Sequence, residues 1–512
     1  MKSYNFKIGR LSFIAGCLLL LFSACKKTLE PQEQSALTPQ NFYQSSGDAN
    51  AALMTLYVPF TSYWGNDDPG TSGPTWYAGL YNADIKTYFS RSIVGTDEIT
   101  NVATDGNTAP LVNYTWGPDT WTLASGSEAT YSKISYVAKA TDIISAINAS
   151  ANVPDDIKKG YVAEAMALRA WLMFVLYDFY GPVNVKTSEA TLTDTSETAR
   201  PSDTAYVNQM VSDLTQAMPN LKVSYNGDAV NWGRMSQGSA NMLLLKIYMM
   251  KKEWALAQAQ GQAIINMGIY SLMTGPGAYA NIFNTSGGSG SNNEVIYAVP
   301  ANQSSPNFWP QESFPQDFAS ALPLIAPRAV GWITQYMPWA FYDKYDPADQ
   351  RLSTILSSYT NTSGVVKNRA NGMIGAIPLK YTAVVPGLVG QNLDVVVFRY
   401  AEVLLSMAEA INEQNGPAGA YQYINQVRER AGVSDLSGMS QVQLRQAILD
   451  ERGRELYAEG VRRQDLIRNG SYISTAIANG KAAQPYMTLF PIPESVILQG
   501  RGIIAQNPGY GD

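Results

Sequence analysis

A long apolar segment, GYVAEAMALRAWLMFVLYDFYGP at residues 160–182, constrains the fold of this chain more than any other stretch. It predicts a helix from Gly160 to Tyr180, which Gly181 and Pro182 end. Because the helix is apolar on nearly every side, it has to be covered by other elements all round. We therefore predict a helical core with this segment at its centre.

Further stretches predict helices that follow one another in pairs. A capping hydroxyl and a proline in the first turn start one helix at Thr38-Pro39, with a break at Gly47. A capping box of Ser440 and Gln443 starts the last long helix. The predicted ranges besides these are Glu128–Asn148, Arg234–Met250, Glu253–Met267, Tyr400–Asn412, Ala418–Ala431 and 440–459.

Long irregular regions separate the helix pairs. Residues 60–125 and 284–395 are rich in Gly, Ser, Asn, Pro and aromatic residues, and loops of this length are usually functional. Short strands are expected at Val295–Val299 and Val395–Phe398. Helix pairs in series resemble tetratricopeptide repeats, although their spacing is not a regular ~34 residues. The predicted fold class is mostly α: a tetratricopeptide-like helix-pair scaffold with a long, loop-rich region that carries short strands.

The N-terminus has the pattern of an export signal. Lys2, Lys7 and Arg10 precede an apolar run from Leu11 to Phe22, which is too short for a bilayer because a spanning helix needs ~20 apolar residues. The next residues are Ser, Ala and Cys25. This order resembles a bacterial lipobox, in which the cysteine sulfur is acylated and begins the mature chain, although Phe replaces the commoner Leu at position 22.

These features predict a signal peptide over residues 1–24 and a lipid anchor at Cys25, and the alternative is a soluble secreted protein with an incidental cysteine. The chain has 2 Cys, and Cys17 leaves with the signal, so no disulfide can form within the mature chain. Loss of the three signal cations takes the formal charge from −6 to −9. Nucleic acid and anionic lipid surfaces are therefore not expected partners.

The chain contains 0 His, which removes several kinds of chemistry. Every mechanism with a histidine base is excluded, together with the commonest zinc ligand. No phosphate-binding glycine motif is present. A glycoside hydrolase that uses a carboxylate pair remains open as a less favoured alternative. We expect no cofactor, and Asp67-Asp68 in a loop is the one indication of a structural calcium ion.

Six motifs occur in an order that is specific to one family. They are LRAWLMFVLYDFYGPV (168–183), WGRMSQGSANMLLLKIYM (232–249), FRYAEVLLSMAEAIN (398–412), AYQYINQVRERAGV (420–433), DERGRELYAEGVRRQDLIRNG (450–470) and LFPIPESVI…QNPGY (489–510). TPQNFYQSSGDANAAL (38–53) and GTDEITN (95–101) agree with them. With the lipobox in front, the mature chain resembles the SusD/RagB family of Bacteroidetes outer-membrane lipoproteins.

The resemblance implies a role and a set of partners. It implies a lipid-anchored protein on the cell surface, at the outer membrane, that captures oligosaccharides for import through a SusC-like TonB-dependent barrel. Peptide capture, known for some members, remains an alternative. It also suggests an N-terminal region over 25–283 and a C-terminal region over 284–512, which is irregular over 284–397, helical over 398–470 and an extended tail over 471–512.

The charged motif DERGRELYAEGVRRQDLIR could be mistaken for a catalytic site. Glu451, Glu455 and Glu459 recur every four residues and share one helical face, with arginines between them. Arginine partners lower carboxyl pKa values, whereas a general acid needs a raised one. We therefore predict a network of salt bridges between helices, in which each exposed pair contributes ~0–1 kcal/mol.

Aromatic residues in the loops are the candidates for binding. Of the 10 Trp, Trp171 and Trp254 fall in predicted helices, and Trp121 and Trp232 are assigned to the scaffold. Flat rings can stack on the apolar faces of sugars at low entropic cost, while nearby amides and acids bind hydroxyls. The predicted ligand-binding residues are Trp64, Trp76, Tyr77, Trp116, Trp309, Trp332 and Tyr336. A helical repeat that binds peptide in its concave face would not depend on them.

Overall fold

The computed structural model describes residues 43–65, 77–85, 87–103, 108–118, 130–285, 292–319, 334–384 and 390–511. The predicted signal peptide, Cys25 and the helix start at Thr38-Pro39 lie outside these residues. The described part is mostly α-helical with a few short strands, which confirms the predicted fold class.

The helices of the described residues, in chain order, are α1 (Ser46–Met54), α2 (Tyr88–Arg91), α3 (Thr108–Asn113), α4 (Ile134–Ala149), α5 (Asp155–Tyr180), α6 (Asp203–Ala217), α7 (Gln237–Lys251), α8 (Trp254–Asn266), α9 (Ala278–Ile282), α10 (Trp309–Ser313), α11 (Trp339–Tyr342), α12 (Tyr400–Asn415), α13 (Tyr421–Arg430), α14 (Gln441–Glu455), α15 (Arg462–Asn469), α16 (Tyr472–Ala478) and α17 (Glu494–Gln499). Helix α4 packs against α5, α7 against α8, and α12 against both α13 and α14. These contacts confirm the predicted helix pairs, and α8 also packs against α12 to join two of them.

Helix α5 lies at the centre of the molecule, as its apolar sequence predicts. It is 26 residues long, and every residue from Ala167 to its end is buried. The Trp171 ring lies 4.4 Å from the Phe60 ring and 4.9 Å from the Tyr297 ring, measured between centroids. The helix begins earlier than expected, at Asp155, because two carboxylates in its first turn favour the positive end of the helix dipole.

Other element boundaries also differ from the sequence prediction. Helix α1 runs through Gly47 without a break, since the Ser45 hydroxyl accepts from the Asp48 N–H at 3.2 Å and caps the helix. Helix α14 stops at Glu455 rather than Glu459, and Ala458 beyond it has a positive φ of 57°. Residues 471–512, expected as an extended tail, contain the short helices α16 and α17.

The strands of the described residues are short and form small sheets. They are β1 (Trp64–Gly65), β2 (Tyr77–Ala78), β3 (Thr100–Asn101), β4 (Val295–Val299), β5 (Gln335–Pro338), β6 (Ile355–Leu356), β7 (Ser358–Thr360), β8 (Val366–Asn368), β9 (Gly375–Pro378) and β10 (Val395–Arg399). Strand β4 pairs antiparallel with β10, and both are fully buried. A four-stranded sheet has the order β3-β5-β9-β6, while β1–β2 and β7–β8 form separate antiparallel pairs.

One hydrophobic core joins the two predicted regions. It includes buried residues from Ala49 to Ile492, so residues 25–283 and 284–512 contribute to the same interior. The boundary between 283 and 284 remains a prediction. Within the described ranges, no helix combines the length and the apolar character needed to cross a membrane.

Candidate ligand-binding cleft

The charged motif of α14 and α15 forms a buried network rather than an exposed one. Arg351 lies between Glu451, at 2.7 Å, and Glu455, at 3.0 Å, and all three side chains are fully buried. Arg399, on β10, donates to Glu455 at 2.5 Å and to Glu459 at 2.6 Å. Lys380 donates to Glu459 at 2.7 Å. The predicted salt-bridge network is confirmed, and its members are less exposed than expected.

The arginines of this network hold Glu451 and Glu455 ionised. Burial alone would raise the pKa of Glu455, but Arg430, Arg399 and Arg351 together hold that pKa well below its usual range. Burial acts in the same direction on Glu451, and its arginine partners nevertheless lower the pKa to about 2. A general acid must carry a proton near neutral pH, so neither carboxylate is suited to that role.

Two of the predicted binding residues, Trp116 and Trp309, are core residues instead. The Trp116 ring is 3% exposed, packs against Phe490 and donates its Nε1–H to the Tyr510 hydroxyl at 2.8 Å. The Trp309 ring is 1% exposed, and its Nε1–H donates to the Pro378 carbonyl at 3.3 Å. Distant segments cover both rings, so their assignment to a ligand surface is wrong.

The first loop predicted to bind ligand is described only at its base. Trp64 pairs with Ala78 and Gly65 with Tyr77, which places the backbones of Trp64 and Tyr77 on adjacent strands. The Ser62 hydroxyl, next to this pair, donates to the carbonyl of Ser305 at 2.8 Å and ties it to a second loop. Trp76 and Trp332 lie outside the described residues, so their role in binding stays a prediction.

Tyr336 lies in a cleft of about 380 Å³ between the four-stranded sheet and the β7–β8 hairpin. Strand β5 alternates, with Gln335 and Met337 buried and Tyr336 half-buried, because successive side chains of a strand point to opposite faces. The other lining residues are Gln316, Asp317, Tyr359, Lys367, Asn371, Gly372, Met373 and Ile374. The structure therefore places one predicted residue beside a second tyrosine that the sequence interpretation missed.

Local turn chemistry positions the hairpin wall of this cleft. The Asn361 carboxamide oxygen accepts from the N–H of Ser363 at 3.1 Å and of Val365 at 2.8 Å, and Gly364 has a positive φ of 75°. This turn sets a register in which Tyr359 lies directly opposite Lys367. Cross-strand partners share a face of the hairpin, so both side chains point to the same side.

Hydrogen bonds hold the cleft's polar groups in place. The Tyr359 hydroxyl donates to Oδ1 of Asp317 at 2.9 Å, and Asn361 Nδ2 donates to its Oδ2 at 3.2 Å. Burial, and then the charge of Asp317, raise the pKa of Tyr336, and burial also raises that of Tyr359. Both phenols therefore stay protonated near neutral pH and keep their hydroxyl hydrogens.

Trp339 holds one of the residues that line the cleft in place. Its Nε1–H donates to the Met373 carbonyl at 3.0 Å, and Met373 lines the cleft. The Arg369 guanidinium lies 5.2 Å from the centre of the Trp339 ring, within the range of a cation–π contact. The arrangement offers two tyrosine rings, a carboxylate, two carboxamides and an ammonium group to one ligand. Sugars can use all of these, since they have apolar C–H faces and many hydroxyls.

The sequence held a signal for this hairpin. Residues 358–368, SYTNTSGVVKN, consist of two short strand-like runs separated by turn-forming residues. A hairpin prediction there would have placed Tyr359 and Lys367 near each other. Their approach to Tyr336 had no such signal, because it depends on how the hairpin packs against β5 and the 316–317 loop.

Known proteins resemble this chain over almost its whole length. The SusD family profile matches residues 349–510. SusD-like protein P25 of Formosa agariphila is 25% identical over 93% of this chain and 94% of its own length. The starch-binding protein SusD of Bacteroides thetaiotaomicron is 37% identical over a shorter stretch, 23% of this chain and 22% of its own. Over residues 349–510 the chain therefore matches the SusD family.

Solved structures show that the SusD family fold extends across the chain. Surface glycan-binding protein A of Bacteroides thetaiotaomicron, in complex with laminarihexaose, superimposes with a TM-score of 0.71 and 20% identity, over 90% of this chain and 99% of the other. A laminarin-binding SusD-like protein gives a TM-score of 0.71 at 21% identity, over 91% of this chain and 100% of its own. At these identities the likeness shows the fold.

The SusD family match contains only part of the cleft. Tyr359, Lys367 and Asn371 fall within residues 349–510, whereas Asp317 and Tyr336 precede them. Among the described residues, no group of three or more acidic or cysteine side chains is placed to hold a metal ion. Asp67-Asp68 lies outside that part of the chain, and a calcium ion there stays a prediction.

Proposed function

We propose that this SusD family protein binds carbohydrate in the cleft between Tyr336 and Tyr359. The observation that carries the proposal is the joint placement of these two rings with Asp317, Lys367 and Asn371 around about 380 Å³ of open space. Relatives whose names state laminarin or glycan binding share the fold, and one named as starch-binding is similar over 23% of this chain. Their ligands indicate the class of molecule to test first.

The two tyrosines supply the apolar part of such a site. Tyr359 stacks on Phe318, with ring centroids 5.6 Å apart and planes 28° from parallel, so one face of Tyr359 is already held by the protein. A fixed ring loses little side-chain entropy on binding, and that favours stacking of a sugar against it. Tyr336 is half-buried and adds a second edge to the same space.

The polar groups of the cleft supply orientation. Asp317 already accepts from Tyr359 and Asn361, and a carboxylate has room for further donors on each oxygen. Asn371 and Lys367 stand on the hairpin side. Sugar hydroxyls both donate and accept, so they match this mixture of acceptors and donors better than a purely apolar ligand does.

Binding is tested by isothermal titration with laminarihexaose and maltohexaose and by a wider glycan array. Tyr336→Ala should weaken binding of a glycan that the wild type binds by ~1–3 kcal/mol, by analogy with nucleic-acid bases that stack on aromatic rings. Tyr248→Ala, a half-buried tyrosine on α7, is the matched control and should leave affinity unchanged. Equal affinity of the wild type and Tyr336→Ala for every bound glycan would contradict the assignment of this cleft.

The alternative that this chain binds peptides can be tested with the same protein sample. A peptide library screened in parallel would bind in place of glycans if this chain were a peptide-capturing member of the family. In that case the cleft tyrosines would still be needed, because aromatic rings also suit peptides. Selective binding of peptides with no glycan bound would replace our choice of ligand.

We also propose that the protein acts on the cell surface, anchored at the outer membrane through Cys25, and passes its ligand to a SusC-like TonB-dependent barrel. The FSAC order at residues 22–25 supports the anchor. A binding protein tethered outside cannot itself move solute across the membrane, so import needs a separate pore. Cys25→Ser should release the protein from membranes or leave its signal uncut, and full membrane retention would contradict the anchor.

We propose that the protein binds without catalysis, and one residue makes a direct assay worthwhile. Burial, and then the charge of Asp84, raise the pKa of Glu312 from 4.5 to about 8, as a general acid would require. Incubation with each bound glycan, followed by product analysis, should show no cleavage. Turnover that Glu312→Gln abolishes would instead identify a carboxylate-based hydrolase.

A further inference from the structure

A second and larger cavity, of about 990 Å³, opens beside helix α13 and shares no lining residue with the Tyr336 cleft. One wall is the α13 face that carries Gln426, Glu429 and Arg430, which lie three and four positions apart and therefore face the same side. The opposite wall is the loop at 271–277. We call this cavity the α13 groove.

The charges of the α13 groove exclude a polyanionic ligand. Among the described residues that line it, Arg430 is the only cation, and its side chain is 3% exposed and paired with Glu294 at 3.0 Å and with Glu455. Glu429 has no ion-pair partner among the residues that the structure describes. The groove therefore presents one uncompensated negative charge and no free positive charge.

The remaining lining groups are neutral and polar. Gln350 and Gln426 are exposed and present carboxamides, and Ser353 and Thr274 present hydroxyls. Tyr400, the first residue of α12, adds a half-buried ring. Its backbone N–H donates to the Glu294 carbonyl at 2.8 Å and so fixes its position. Like the Tyr336 cleft, the groove places an aromatic ring beside carboxamides, and it adds Ser and Thr hydroxyls.

We propose that the α13 groove is a second saccharide site, which binds a neutral segment of the same glycan chain as the Tyr336 cleft. This inference takes its class of ligand, a saccharide, from the proposed function. The two cavities are close along the chain, because Ser353 lines one and Tyr359 the other. Six residues of fully extended chain span at most ~22 Å, so their Cα atoms cannot be farther apart than that.

Two protein sites that bind the same polymer raise its overall affinity, although neither site gains a new contact. Once one site holds the chain, the second meets a nearby segment at a high effective concentration, provided that the linking sugars can span the gap. A polysaccharide should therefore bind more tightly than a short oligosaccharide of the same sugar. That advantage should depend on the α13 groove.

The test uses affinity gel electrophoresis of the full mature chain in laminarin, starch and galactomannan, together with titration of laminarihexaose and maltohexaose. Gln426→Ala removes an exposed amide and carries little risk to folding, and Tyr400→Ala removes the ring. Gln422→Ala is the control, since Gln422 lies on the same helix and does not line the groove. Gln426→Ala combined with Tyr400→Ala should weaken polysaccharide binding by about tenfold, the factor for ~1.4 kcal/mol.

The outcomes separate this inference from the proposed function. If Tyr336→Ala weakens polysaccharide binding while both groove variants bind like the wild type, the second site is wrong and the first stands. If no neutral polysaccharide retards the wild type, both proposals are overturned. If peptides from a casein digest bind and Gln426→Ala weakens them, the groove binds peptide and the saccharide assignment is overturned. If the groove variants weaken polysaccharide binding and Gln422→Ala does not, the second saccharide site is supported.

Discussion

Arg463 of α15 donates to Asp178 of α5 at 2.5 Å, and both side chains are 1% exposed. This ion pair joins the charged C-terminal motif to the central helix across more than half of the chain. Asp178 also accepts from the Tyr88 hydroxyl at 2.9 Å. One carboxylate thus links three separate segments inside the core.

Removal of the Asp178 charge should destabilise the fold strongly. Asp178→Asn leaves the Arg463 guanidinium buried without a counter-charge, and breaking a buried pair in this way costs ~3–5 kcal/mol. The free energy of unfolding from urea titration measures the effect. Asp343→Asn is the control, because the Asp343–Arg369 pair is exposed, at 51% and 57%, and its loss should change stability by less than ~1 kcal/mol. Equal effects of the two changes would disprove the structural role of the buried pair.

Acid should weaken the fold partly through Asp97. Burial alone would raise the pKa of Asp97, but Arg462 and Lys344 lower it from 3.8 to about 2. The stability gained from this lowered pKa is present above ~4 and is lost as the pH falls through 2. Urea midpoints between pH 2 and pH 6 should fall with acid in the wild type and fall less steeply in Asp97→Asn. Identical slopes would show that Asp97 does not titrate as expected.

Glu312 should give stability the opposite pH dependence to that of Asp97. Because burial raises the pKa of Glu312 from 4.5 to about 8, the folded state holds a proton that the unfolded chain releases. The free energy of unfolding should therefore decrease by up to ~5 kcal/mol as the pH rises from 4.5 to 8. Glu312→Gln should flatten this dependence, whereas Glu189→Gln, at an exposed position, should not. A wild-type profile that is already flat would contradict the raised pKa.

Trp116 and Tyr336 should separate stability from binding. Trp116→Ala opens a cavity in the core and should lower the unfolding free energy by ~3–5 kcal/mol, with unchanged affinity in the molecules that remain folded. Tyr336→Ala should do the reverse, weakening glycan binding with little loss of stability. Thermal unfolding and titration on the same samples measure both quantities. If the folded Trp116→Ala variant loses affinity for glycan, Trp116 is a binding residue and its assignment to the core alone is wrong.

The helical scaffold could be predicted because its signals are local. The apolar run of α5 and the Ser440–Gln443 capping box act over a few residues, and both predicted helices are present. Helix ends were less accurate where a distant group decides them. Helix α14 stops at Glu455, and the Ala458 N–H beyond it donates to Glu98, 360 residues earlier in the chain.

The binding residues were predicted less well because exposure is a property of distant neighbours. Aromatic residues in the loops look alike in sequence, yet the Trp309 ring is covered by β9 and Tyr336 lines an open cleft. Tyr359 was missed, since its value for binding comes from the approach of its hairpin to Asp317, 42 residues earlier. No local pattern distinguishes a ring that packs inside from a ring that faces solvent.

By itself the sequence determined which segments become helices, which mechanisms are closed to a chain without histidine, and which family the chain resembles. The tertiary structure alone decided which charges are buried and which aromatic rings stay open. Trp116 shows the reason: its indole N–H finds its acceptor in Tyr510, 394 residues away. Helix signals act within a few turns of backbone, whereas burial is set by contacts that exist only after the chain has folded.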